Sequence, residues 1–436
     1  MIHPIPALRT RTLIARLFPM ARTGLSAPMA LLAIGSLLCL SACLSESGIT
    51  PEEGEGATVA IDSNRIKDSL RVLDSIRVQD SIHVRDSIRV RDSIHVRDSL
   101  LALPMVFVVT SDYKTGSYSV HGLDSNYTKN NLDPIHSDAA VRYLGGDDIF
   151  VINRLGRDNL QIIDRHNLKT VLQIPLPALS NPYDVALKAG LIYVAFFGTD
   201  KIGIYRQSDG FKAGEIDVSA YADSSDKLPE TSSLAFINGD LYALTANLDT
   251  KNGYVPLIAH LLRIDVGTKS VKQALALPYS NPAGLTWDSA ANRIYVPCRG
   301  EYSNEDYSPK ADGAIVAIDP TTLEVSGTIA LEKDLGGNVN NALLYGGKLF
   351  MDVGVNGAES ISAISVADGK AEEIVKLGAY AYGGLAIDAV TRTLYVGDRK
   401  QGGPGLRLFD LLTFAEKSTP GIDIGTLPPS NLAVIR

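Results

Sequence analysis

Asp184, Arg299 and Asp398 are of the types that could run acid–base chemistry. Two carboxyl groups whose ionisation is pushed apart can divide the work of acid and base, and a guanidinium can hold developing negative charge. Little else completes a reaction centre. His121, His136, His166 and His260 stand alone with no two at ligand spacing, so no metal is expected. There is no Gly-x-Ser-x-Gly elbow and no phosphate loop, and no cofactor is expected. Cys298 follows an apolar run and reads as a small core residue rather than a nucleophile. Asn247–Gly253 alternates oxygen side chains but lacks the Glu that closes a calcium loop, so it reads as a turn. The acidic stretch 301–312 reads as a solvated loop.

A second set suits contact rather than turnover: Asn181, Tyr183, Asp184, Ser232, Asn281, Asn341, Tyr382 and Asn431. Amides and phenols around a concave centre offer hydrogen bonds and flat apolar surface. The same groups could instead fasten the starts of strands by capping, and the residues alone leave that alternative open.

The elements that would position them recur. An aliphatic–aromatic–aliphatic triplet appears seven times, centred on Phe107, Phe150, Tyr193, Tyr242, Tyr295, Phe350 and Tyr395, at separations of 43, 43, 49, 53, 55 and 45 residues. Short strands at that period predict an all-β, seven-bladed β-propeller with one four-stranded sheet per repeat. The triplet reads as the second strand of each blade. An innermost strand precedes it, as in Asp184-Val185-Ala186-Leu187, and an alternating third strand follows, often ending in Asp (Asp164, Asp265, Asp319, Asp410) before a turn. The first triplet has no innermost strand ahead of it, and the last such motif, Asn431–Ile435, has no triplet behind it. The C-terminal strand is therefore expected to enter the first blade and close the ring, which removes open sheet edges. Long segments at 246–257, 298–312 and 397–404 would share the side where innermost strands begin, and such loops commonly carry binding.

The repeats resemble the YVTN-type β-propeller family across residues 104–436. The best matches are Asn181-Pro182-Tyr183-Asp184-Val185 leading to Ile192-Tyr193-Val194, and Asn281-Pro282-Ala283-Gly284-Leu285 leading to Arg293-Ile294-Tyr295-Val296. The resemblance implies the fold and leaves function open, because propellers host many activities.

Residues 1–42 hold four arginines, no acidic residue and the apolar run 30–40, ending in Leu40-Ser41-Ala42-Cys43. A basic head, a short apolar run and small residues predict a secretory signal. The tetrad resembles a bacterial lipobox, which implies lipidation at Cys43, and Leu44 resembles lipoproteins sent to the outer membrane. Met20 would give a leader of more usual length. Residues 43–64 read as a flexible tether, and 65–100 carry six copies of a hexapeptide from Arg65-Ile66-Lys67-Asp68-Ser69-Leu70 onward. Asp and Arg three apart favour a solvated helical spacer of roughly 54 Å. Loss of 1–42 takes the net charge from −8 to −12, which disfavours nucleic acid as a partner. The leading expectation is a membrane-anchored, non-catalytic binding or scaffold module for protein or glycan in the cell envelope. The alternative is a propeller enzyme (lactonase, lyase or quinoprotein-like) working in the funnel with Asp184, Arg299 and Asp398.

Overall fold

Every triplet is buried on both strand faces, which only an interior strand between two neighbouring layers permits. The computed structural model describes residues 104–436 except 125–126, 223–224, 304–307, 356–357, 401–402 and 404. The signal, Cys43, the tether and the hexad spacer lie outside the described residues. Seven antiparallel sheets follow one another, making the chain a seven-bladed β-propeller. Blades 1 to 7 are built on the second strands Met105–Ser111, Asp148–Asn153, Leu191–Phe196, Asp240–Thr245, Arg293–Cys298, Lys348–Val355 and Thr393–Asp398.

The triplet pattern has a packing reason. Successive strand residues point to opposite faces, so the aromatic centre and its aliphatic flanks enter different seams. Ile192 and Val194 pack with Phe150 and Ile152 of blade 2, whereas Tyr193 packs with Leu241 and Ala243 of blade 4. The same assignment holds in every blade: flanks toward the preceding blade, aromatic toward the next. The core is thus seven separate seams, and the seam between blades 7 and 1 joins Tyr395 to Val106 and Val108.

Closure occurs as expected. Pro429–Ile435 pairs antiparallel with Met105–Ser111, with Ile435 opposite Met105 and Asn431 opposite Val109. Arg436 then ties this strand to both neighbours. Its guanidinium donates to Asp388 of blade 7 at 2.7 and 2.6 Å, and its carbonyl oxygen accepts from Tyr143 and Arg165 of blade 2 at 2.8 and 2.7 Å.

The Asp-ended third strands also behave as their chemistry requires. The Oδ1 of Asp265 accepts from the amides of Gly267 and Thr268, and Asp164, Asp319 and Asp410 repeat the arrangement. Two innermost strands are less regular than expected. Blade 5 keeps only Thr286–Asp288, and blade 6 splits into Asn338–Val339 and Leu343–Tyr345. Between them Gly284 sits so close to Asn341 that a Cβ would lie 2.3 Å from its Oδ1, so a larger residue there would have to displace the Asn341 side chain.

Antiparallel pairing sets the start of each innermost strand beside the end of the second strand, as with Pro182 opposite Phe196 and Thr231 opposite Thr245. This side, the loop face, carries the long segments between the second and third strands of blades 4, 5 and 7. The opposite turn face carries two-residue hairpins such as Asn238-Gly239 and Gly346-Gly347.

Candidate functional site

The two Asn-Pro motifs show how the loop face is built. Asn181 and Asn281 adopt left-handed backbone (φ 45° and 56°), which asparagine tolerates better than most residues. Their carbonyl oxygens accept from the amides of Phe197 and Arg299, both at 3.0 Å. Those acceptor-bound residues lie four beyond the triplet aromatic. The equivalent positions around the ring are Ser111, Arg154, Phe197, Ala246, Arg299, Gly354 and Arg399. Three arginines at one repeat position put cationic groups around the mouth.

The centre of the ring holds a polar cavity of about 190 Å³ lined by Tyr183, Ser232, Asn341, Tyr382 and Asn431, together with Arg142. Five of the expected residues therefore meet in one funnel. Tyr183 is held by Phe197, its ring centroid 5.0 Å away, and by the Arg154 guanidinium 4.9 Å from its own ring. Asn431 serves the ring as well, since its Oδ1 accepts from the Val141 amide at 2.9 Å.

Five residues expected in the funnel lie elsewhere: Asn181, Asp184, Asn281, Arg299 and Asp398. Asp184 is 1% exposed, accepts from Arg142 at 2.6 and 3.0 Å, and takes the Leu234 amide at 2.9 Å. It fastens blades 2, 3 and 4 and does not face the cavity. Asn181 is turned away by its left-handed backbone, and its Oδ1 accepts from the Leu155 amide. Asn281 lines a different pocket. Asp398 lies 3.5 Å from Arg407 and accepts the Lys400 amide at 2.9 Å. Asp184, Arg299 and Asp398 thus each stand among different neighbours.

The second pocket, about 370 Å³, opens between the loops that join the second and third strands of blades 4 and 5 and is lined by Leu248, Tyr254, Pro256, Asn281, Arg299 and Lys310. Lys310 is paired with Glu301 at 2.6 Å. Among the described residues the Arg299 side chain makes no hydrogen bond or ion pair, and its Nε is buried without a partner. Asp352 is 2% exposed. Asn340 donates to its Oδ2 at 2.7 Å, while Oδ1 has no protein partner. Burial, with the charge of Glu359, raises the Asp352 carboxyl to about 7, and Arg299 pulls it back. Burial likewise raises Glu332 to about 7 despite amide donation from Val339 and Gly313. It also pushes up the Tyr382 hydroxyl, helped by Asp352 and Glu359. Arg299 therefore stands against a buried acidic group that sequence reasoning missed, because Asp352 and Glu359 come from two strands of blade 6 and Glu332 from the link between blades 5 and 6. Cys298, next to it, is fully buried, with its thiol raised to about 12 mainly by burial. Among the described residues no group of three His, Cys, Asp or Glu is placed to hold a metal ion.

Sequence reasoning also missed a set of surface residues. Tyr113, Leu155, Leu179, Tyr254 and Tyr380 stand on the loop face at exposures from 59% (Tyr254) to 83% (Tyr380). All five have left-handed backbone, with φ between 44° and 65°. A bulky residue in that conformation costs about 1–2 kcal/mol. Elsewhere the cost has an evident compensation: left-handed Leu168 and Leu323 fill core seams. The exposed apolar residues of the turn face, Leu144, Phe211, Val390 and Leu412, have no such backbone. Exposed, strained residues with large apolar side chains thus gather on the loop face, whereas the exposed left-handed residues of the turn face are Ala189, Asn238, Lys269 and Arg392, and such strain is a mark of a working surface.

No family model and no curated relative matches the chain. Solved structures do. A candidate 6-phosphogluconolactonase from Bacteroides fragilis is 13% identical with a TM-score of 0.56, over 76% of this chain and 98% of that one. A similar protein from Bacteroides uniformis is 13% identical at 0.55, over 76% and 99%. A functionally unknown protein from Desulfotomaculum acetoxidans is 10% identical at 0.51, over 76% and 98%. These likenesses show the fold alone.

Proposed function

We propose that this chain is a lipid-anchored, YVTN-like propeller of the cell envelope that binds a protein or glycan partner on its loop face without transforming it. The observation that carries the reading is the crown of exposed left-handed residues, Tyr113, Leu155, Leu179, Tyr254 and Tyr380. Apart from the Arg399 guanidinium 4.6 Å over the Tyr113 ring, their exposed side chains gain little inside the fold for the strain they carry, which suits them to contact with another molecule. The site chemistry supports this reading, because Asp184, the carboxylate that an enzyme would need in the funnel, is instead committed to Arg142 and to the backbone of blade 4.

Tyr113→Gly together with Tyr380→Gly tests it. Glycine relieves the left-handed strain, so the variant is expected to melt at or above the wild-type temperature while losing affinity capture of the partner from intact cells. A variant that melts lower and still captures the partner would assign the tyrosines to structure and sink the reading. The anchor is tested separately. Cys43→Ser should move the protein from the membrane to the soluble fraction with the propeller still folded, and unchanged pelleting would refute lipidation.

One observation favours a second reading. Asp352 and Glu332, both raised to about 7 beside Arg299, have the protonation behaviour that an acid–base catalyst needs. Loss of turnover in Asp352→Asn on any lactone or glycoside accepted by the wild type would support the enzyme.

A further inference from the structure

The pocket between the loops joining the second and third strands of blades 4 and 5 has the parts of a carboxylate receptor. At its floor is Arg299, a planar guanidinium with no hydrogen-bonded partner among the described residues. Such a group is suited to a bidentate grip on a carboxylate. Leu248 and Pro256 supply an apolar wall, and Tyr254 stands at the rim. Tyr254 is exposed on left-handed backbone (φ 64°), its amide donating to the Asp249 carbonyl at 2.9 Å. Asn281 is held by its own left-handed turn on the Arg299 side, since its carbonyl accepts the Arg299 amide. The other cation, Lys310, is already engaged by Glu301. Among the described residues Arg299 makes no ion pair, and its charge acts only across space on the buried carboxyls of Asp352 and Glu332, which leaves it as the group to meet a ligand's charge.

We propose that this pocket receives the C-terminal carboxylate of a polypeptide whose last side chain is apolar, with Arg299 gripping the carboxylate and Leu248, Tyr254 and Pro256 enclosing the side chain. The proposal rests on the loop face being the binding face. Apolar walls within reach of the guanidinium require an apolar group next to the carboxylate. A chain-terminal Leu or Phe provides that, whereas an internal Asp or Glu carries its carboxylate away from apolar atoms. A volume of about 370 Å³ lies in the range of sites that enclose such a fragment. Uronic-acid glycans share the carboxylate but present hydroxyls to the apolar wall.

The test is calorimetric titration of the full chain in detergent with acetyl-Leu-Phe, with its C-terminal amide, and with trigalacturonate. The free acid is expected to bind about tenfold or more tightly than the amide, the usual reach of a charge-assisted pair. Arg299→Gln should erase that difference at an unchanged melting temperature, and Tyr254→Gly should weaken acid and amide alike. If Arg299→Gln fails to fold, Arg299→Lys is read instead, with a reduced preference for the acid expected. Equal binding of acid and amide, an acid preference surviving in Arg299→Gln or undiminished in Arg299→Lys, or binding by none of the three probes would overturn the assignment. Trigalacturonate binding more tightly than the peptide would give the pocket to an acidic glycan. Capture of the cellular partner that depends on Tyr113 and Tyr380 but not on Arg299 would reject this pocket while leaving the binding face intact.

Discussion

Asp352 places an ionisable group where the fold opposes its charge. Its carboxyl is raised to about 7 in the folded protein, against about 3.9 in an unfolded chain. Between these values the native state holds a proton that the unfolded state has released, so stability must fall as pH rises from about 4 to 7. The slope is up to about 1.4 kcal/mol per pH unit for each such group, and Glu332, also raised to about 7, adds to it. Chemical denaturation across this range should show the decline, and Asp352→Asn should flatten part of it. A flat profile in the wild type would mean that both carboxylates are solvated. Tyr183, Ser232, Asn341, Tyr382 and Asn431 were legible as funnel residues because their place follows from strand order. Asp352 and Glu332 were not, since each looks like any acidic residue until neighbouring blades close over it. The crown was hidden for another reason: left-handed backbone at Tyr113 or Tyr380 leaves no periodic trace. The arginines four beyond Phe150, Tyr295 and Tyr395 did leave one, visible once the repeats are aligned.

Among the elements, the closing strand bears the greatest consequence. Pro429–Ile435 completes blade 1, and its amides and carbonyls pair along Met105–Ser111. Deleting Asn431–Arg436 removes this pairing, frees Asp388 from Arg436 and opens the seam between blades 7 and 1. The truncated chain should aggregate, or melt well over 10 °C earlier, because several kcal/mol of buried contact is lost and two sheet edges are exposed. Unchanged melting would reduce these residues to a tail. The triplet strands were readable because a strand buried on both faces must be apolar throughout. The innermost strands of blades 5 and 6 were overcalled as regular, because local composition does not record how closely Gly284 meets Asn341 across the seam.

For the molecule as a whole, the seams share one polarity: aromatic forward, aliphatic backward. A stack with that polarity has no natural first member, and the ends of the ring meet where Met105 pairs with Ile435. That meeting point is on the turn face, because second strands begin there and innermost strands finish there. The described chain therefore enters the propeller at Pro104 and Met105, at the rim of the two-residue hairpins and opposite the side bearing the crown, the funnel and Arg299. Fusions or labels appended after Arg436 would sit beside that same junction, so a reporter can be added there without crossing the surface where a partner would land.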